Sequence, residues 1–120
     1  LDRSNDWREL KTMMKALADV VRLTIIYHLA RKPEMTVTAL TDALEISQPL
    51  VSWHLRKLQR AGLTRMRRAG RQVYCSLDKE RFQYCLQRLQ QLVDPGFVLA
   101  TLPVGSLARV EAAAEVNLEE

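Results

Sequence analysis

The chain has 120 residues, 48% of them apolar and 27% charged, with a formal net charge of +4. That length allows one domain around one core, and that balance of apolar and charged residues excludes a globally disordered chain. No apolar stretch approaches the roughly 20 residues needed to cross a bilayer, so no membrane partner is expected.

The first ten residues, LDRSNDWREL, contain no apolar run of the secretory kind. Two cysteines cannot form a disulfide framework, so a reducing cytoplasm is the expected compartment. From Ser4 the apolar positions Trp7, Leu10, Met13, Met14 and Leu17 follow helical spacing, with Ser4 or Asn5 available as a cap. Asp19 is placed to cap a second helix, whose core face is Val20, Leu23 and Ile26 or Tyr27 and which stops before Pro33. Thr36 heads a short third helix through Leu40 and Leu44. After a break at Glu45 and Ile46, Ser47 caps a fourth helix, with Pro49 in its first turn where a missing N–H does no harm. That helix is expected to bury Leu50 or Val51, Leu55 and Leu58, and to end at Gly62.

Residues 63–68 and 72–77 are two β-compatible runs around Ala69 and Gly70, the pattern of a hairpin. Asp78 caps a fifth helix carrying Phe82, Cys85, Leu86, Leu89 and Leu92 or Val93, ended by Pro95 and Gly96. The expected fold is mostly α with a small β-hairpin wing: a winged helix-turn-helix of five core helices plus a C-terminal extension. Residues 1–94 are expected to form this folded domain, and residues 95–120 an acidic tail. Within that tail Leu107, Val110, Ala114 and Leu118 could line a short helix, marginal by itself.

Charge is the most informative pattern. Between Ile46 and Leu77 stand Arg56, Lys57, Arg60, Arg65, Arg67, Arg68 and Arg71 and no acid, so the rest of the chain is net acidic. A field focused in this way favours a polyanion, because each phosphate neutralised releases condensed counterions. Double-stranded DNA is the expected partner. Early polar residues of the fourth helix, Ser47, Gln48, Ser52 and Arg56, would read bases: Gln pairs bidentately with adenine and Arg with guanine. Arg65, Arg67, Arg68 and Arg71 of the wing, and Lys57, would hold phosphates or enter the minor groove. Trp53 either packs at the edge of the helix-turn-helix or touches a thymine methyl. His54 either contacts a phosphate or packs inside.

Three segments, ALADVVRLTIIYHL (16–29), ISQPLVSWHLRKLQRAGL (46–63) and RRAGRQVYCSL (67–77), resemble the arsenic-repressor (ArsR) family of bacterial winged-helix transcription regulators. The similarity covers roughly residues 10 to 93. This resemblance implies a homodimer built on the first and fifth helices, with Leu10, Met13, Met14, Phe82, Cys85, Leu86 and Leu89 at the interface. It implies binding to an imperfect palindrome in a promoter, with repression as the usual outcome.

The sensing half of the family pattern is absent from this sequence. Where many members carry a Cys-x-Cys metal pair, this chain has Thr36 and Thr38, poor ligands for a soft ion. A second family site needs His on the last helix, and residues 78–94 contain none. No metal site and no cofactor are expected, and the effector is not legible. Cys75, near the end of the wing, is either inert filler or a redox-sensing thiol, the latter requiring an electropositive, partly exposed setting. His28 and the four methionines read as core or interface packing. An enzyme is not expected: there is no glycine-rich phosphate loop and no paired Cys/His set. The rival to a self-contained repressor is a regulator controlled by a protein partner or by thiol chemistry at Cys75.

Overall fold

Three of the helices begin where a short polar side chain can satisfy an orphan N–H. A computed structural model of the chain describes residues 3–99. It contains α1 (Arg3–Leu17), α2 (Val20–Ala30), β1 (Met35–Thr36), α3 (Val37–Leu44), α4 (Gln48–Arg60), β2 (Thr64–Ala69), β3 (Gln72–Leu77) and α5 (Lys79–Gln90). Asp19 accepts from the Arg22 N–H at 3.1 Å, Thr36 from Ala39 at 3.0 Å and Asp78 from Arg81 at 3.0 Å. Each such cap contributes about 1 kcal/mol. Ser47 holds the corresponding position of α4, but its hydroxyl makes no capping bond. Pro49 in the first turn removes a donor that the cap would otherwise serve.

α4 ends as its glycine requires. Gly62 has φ 79°, its N–H donates to Gln59, and the Leu63 N–H donates to Leu58 at 3.0 Å, the paired bonds of a Schellman motif. The chain then enters the hairpin β2–β3. Gly70 takes φ 61° at the first of its two turn residues, as in a type II′ turn.

The wing is larger than a hairpin. β1 pairs antiparallel with β3, Met35 opposite Cys75 and Thr36 opposite Tyr74, giving a three-stranded sheet in the order β1-β3-β2. Two residues carry no period, so β1 left no trace in the sequence pattern. The sheet's inner face, with Met35 and Cys75 buried, closes on a core of Met13, Ile25, Leu29, Leu40, Val51, Leu55, Leu58 and Leu63.

Two expectations for the core are corrected. Val20 and Leu23 are exposed (79% and 52%), while Ile25, Ile26 and Leu29 face inward. The segment VVRLTIIYHLA is apolar on nearly every side, so periodicity alone could not choose its face. In α4, Val51 is the buried member of its pair and Leu50 lies outside. α5 closes at Gln90 instead of running to Pro95. The chain after it turns back along the helix: Gln91 Nε2 donates to the Phe97 carbonyl at 2.9 Å, and the Leu99 N–H donates to Gln87 Oε1 at 3.0 Å. The expected tail helix through Leu107 and Leu118 lies outside the described residues.

Candidate nucleic-acid interface

α3 and α4 form the helix pair, joined by a turn in which Glu45 adopts the left-handed conformation at φ 56°. One side of α4 is anchored by Val51, Leu55 and Leu58, each fully buried. The opposite side is solvent-facing. Gln48 and Arg56 are exposed and Ser52 is half-buried between them, a stripe at i, i+4 and i+8. Ser47, exposed at the head of this stripe, keeps its hydroxyl free of any capping bond. Gln48, Ser52 and Arg56 are therefore brought together on one face, and Ser47 stands at the helix start beside it.

Trp53, Lys57 and Arg60 form a second stripe on α4, directed toward α1. The Trp53 ring is 44% exposed, with the Lys57 Nζ 5.0 Å from its centroid. Both environments considered for Trp53, packing edge and open surface, are thus present on the same ring.

His54 is corrected. It is 5% exposed and faces α1 and α2, away from the open surface of α4. Its Nδ1 lies 3.1 Å from an Arg22 guanidinium nitrogen and 3.8 Å from Asp19 Oδ1. Arg22 can only donate, so Nδ1 accepts and the ring proton sits on Nε2. Burial holds the His54 pKa below its ordinary value, against the opposing pull of Asp19. Arg22 further donates to the carbonyls of Ala16 at 2.6 Å and Lys15 at 3.3 Å. This residue, absent from the sequence-based site, ties the end of α1 to α4. Its signal was available: it is the one Arg or Lys in an otherwise apolar α2.

The wing arginines divide. Arg65 donates twice to Asp78, at 2.9 and 3.2 Å. Arg67 forms a forked pair with Glu34, at 2.5 and 3.0 Å, and lies 4.4 Å from the Tyr74 ring centroid. Arg67 holds the Glu34 carboxyl below its usual range; for Asp78 the Arg81 backbone N–H does most of this, with Arg65 adding to it. Arg68 and Arg71, at the hairpin tip, are exposed and have no ion pair among the described residues.

The residues expected at a dimer interface also divide. Leu10, Met13 and Cys85 are 6%, 1% and 2% exposed and belong to the protomer's own core, a correction. Periodicity marks an apolar stripe but does not say whether its own chain or a second copy covers it. Met14, Leu86 and Leu89 remain exposed, Phe82 is half-buried, and Trp7, Leu92 and Val93 extend the open apolar surface. α1 and α5 are held together by the Glu9–Arg81 ion pair, with the Tyr84 hydroxyl 3.5 Å from Glu9.

Cys75 does not have the partly exposed setting that redox chemistry needs. It is fully buried on β3, and burial pushes its thiol up to about 11. Among the described residues, no three His, Cys, Asp or Glu side chains gather as a possible metal-ligand set. The Thr36 hydroxyl is engaged as the α3 cap.

Residues 19–65 match the family model described as bacterial regulatory protein, arsR family. The chain is 41% identical over 90 residues to the arsenic resistance transcriptional regulator ArsR1 of Pseudomonas putida, covering 72% of this chain and 70% of that one. It is 33% identical over 90 residues to the cadmium resistance regulator CadC homolog of Staphylococcus aureus, covering 75% and 69% respectively. Among solved structures, an ArsR family transcriptional regulator superposes with a TM-score of 0.65 at 27% identity, covering 72% of this chain and 93% of its own.

Proposed function

From the premise that the chain belongs to the arsR family of bacterial DNA-binding transcription regulators, which are not enzymes, we propose that it is a cytoplasmic repressor acting as a homodimer on an imperfect palindrome. The single observation that carries this is the open face of α4. Gln48, Ser52 and Arg56 lie along it with Ser47 at its start, and no carboxylate pairs with Arg56 among the described residues. A donor-and-acceptor stripe on an exposed helix face suits a major groove, where each base pair presents a distinct pattern. Arg68 and Arg71 at the wing tip are free to reach phosphates or a minor groove, fixing register more than sequence.

A second copy supplies what one protomer lacks. Trp7, Met14, Leu86 and Leu89, with Leu92 just after α5, leave apolar surface on the paired helices α1 and α5. Covering it with a two-fold mate would set two α4 helices about one DNA turn apart, near 10 bp, or a multiple of that. Repression then follows from occlusion of the promoter. Metal control through the family's Cys-x-Cys position is not part of this reading, since Thr36 and Thr38 stand there.

Selection from random duplex DNA at about 150 mM salt, followed by affinity against salt for the winner and a scramble, tests the reading. A palindromic winner bound far above the scramble supports it. No winner, with the same steep salt slope for both duplexes, overturns it in favour of non-specific backbone binding.

A further inference from the structure

Between α1 and α4 lies a groove of about 380 Å³, lined by Thr12, Lys15 and Ala16 of α1, Arg22 of α2, and Trp53, Lys57 and Arg60 of α4. Its volume falls within the range of small-molecule sites. Four of the seven lining residues are cationic and none is acidic. Its unpaired charges set it apart from the ion-paired part of the basic surface. Arg65, Arg67 and Arg81 each close on a carboxylate, whereas Lys15, Lys57 and Arg60 have no ion-pair partner among the described residues. Asp19, which precedes α2, is directed to the α2 cap and to His54.

The groove is also partly built in advance. Three of the five N–H groups of Arg22 are spent on Ala16, Lys15 and His54, which fixes the guanidinium 5.9 Å from the Trp53 centroid. The Lys57 ammonium sits 5.0 Å from the same ring. Trp53 thus offers an apolar wall over which two positive charges are stationed. Lys15 of α1 and Arg60 of α4 add charges from opposite sides. Like charges crowded around one cleft repel one another, and an anion seated among them removes that repulsion and gains charge-assisted hydrogen bonds.

We propose that this groove is a binding site for a small organic anion, a carboxylate or phosphate ester whose apolar body lies against Trp53 while its charge is held by Lys15, Lys57 and Arg60. Arg22 acts as a positioning residue, because its hydrogen bonds define the spacing of α1 and α4. An anion bridging Lys15 to Lys57 and Arg60 links a helix of the apolar α1–α5 face to the helix that carries the DNA-facing stripe. It would therefore change DNA affinity wherever it binds the free and DNA-bound forms unequally. The binding step stands by itself; only this consequence rests on the DNA-binding reading.

The test uses the full chain with Trp7→Phe, which leaves Trp53 as the one indole reporter. Phenyl phosphate, inorganic phosphate and benzyl alcohol are titrated against Trp53 fluorescence at about 150 mM salt. The expected result is saturable quenching by phenyl phosphate, weaker binding of inorganic phosphate and none of benzyl alcohol. Lys57→Gln should weaken phenyl phosphate binding about tenfold, the usual worth of one charge-assisted bond. Combining it with Lys15→Gln and Arg60→Gln should abolish binding with the thermal midpoint unchanged.

Three results would overturn the proposal: no saturation by phenyl phosphate, equal binding to the triple variant, or equal quenching by benzyl alcohol. A response to duplex DNA alone would overturn it as well, assigning the groove to the phosphate backbone. The duplex selection described above is read independently, so failure here leaves the DNA-binding reading standing.

Discussion

α4 and the wing carry nearly the same charge in sequence, three cations on the helix and four on the hairpin, and the fold disposes of them differently. Arg56, Lys57 and Arg60 of α4 meet no carboxylate among the described residues. Arg65 and Arg67 of the wing fold onto Asp78 and Glu34, which enter from outside the acid-free run. Charge counted along a chain is therefore not the charge offered to a ligand. An exposed ion pair is worth only about 0–1 kcal/mol, so DNA could still draw Arg65 and Arg67 away. What the pairs do is hold the wing against the body and leave Arg68 and Arg71 at its tip.

The comparison extends to anchoring, and the largest expected effect lies there. Leu55 fastens α4 to the core with no exposed surface, whereas Met66 of the wing is only half-buried. Leu55→Ala should cost about 2–5 kcal/mol in urea unfolding. Met66→Ala should cost about 1 kcal/mol, in proportion to the smaller area it removes from water. Equal losses would mean that the wing is as much a part of the core as α4.

Acidification should separate the two regions next. His54 is a base whose folded pKa is depressed by burial, so protons bind the unfolded chain more readily. Its contribution to stability is full above its ordinary value of 6.5 and declines as pH falls below it. The wing's Glu34 and Asp78 are acids held low by their cationic partners and by the α5 cap. Their contribution is present above the ordinary values of 4.5 and 3.8 and declines only below them. The thermal midpoint should therefore start to fall between pH 7 and 5 through α4's anchor, with the wing's pairs intact. Asn at position 54 places Oδ1 where Nδ1 accepts from Arg22, and His54→Asn should flatten the slope in this window. An equal slope in that variant would assign it elsewhere, His28 being the other depressed imidazole.

The smallest effects concern the two turns. The wing turn places Gly70 at φ 61°, while the turn before α4 places Glu45 at φ 56°. Glu45→Gly should stabilise by about 0.5–1 kcal/mol and Gly70→Ala should destabilise by about 1 kcal/mol, each read from the chemical-denaturation midpoint. A loss on Glu45→Gly would show that the Glu side chain does more than tolerate its backbone.

Legibility followed the same division. Helix starts at Asp19, Thr36 and Asp78 were readable because a cap is a local bond between residues three apart. The hairpin and its glycine turn were readable for the same reason. Features made by distant residues were not. β1 exists only because β3 pairs with Met35 and Thr36. The inward turn of His54 depends on Arg22, 32 residues away, and the restraint of Arg67 on Glu34, 33 residues away. The apolar stripes of α1 and α5 were located correctly, unlike that of α2, but Leu10, Met13 and Cys85 went to the protomer core and Met14, Leu86 and Leu89 to the surface. Periodicity gives a stripe's direction and not the identity of its cover.

The central claim is that the α4 face reads sequence while the wing sets register. Affinities of Arg56→Ala and Arg71→Ala for the selected duplex and its scramble, across a salt series, test it most directly. The account predicts that Arg56→Ala loses about 1–3 kcal/mol of discrimination, roughly ten- to hundredfold, between the two duplexes. Arg71→Ala at the wing tip should weaken both duplexes alike and lower the salt slope by about 1. Discrimination lost in Arg71→Ala and kept in Arg56→Ala would contradict it.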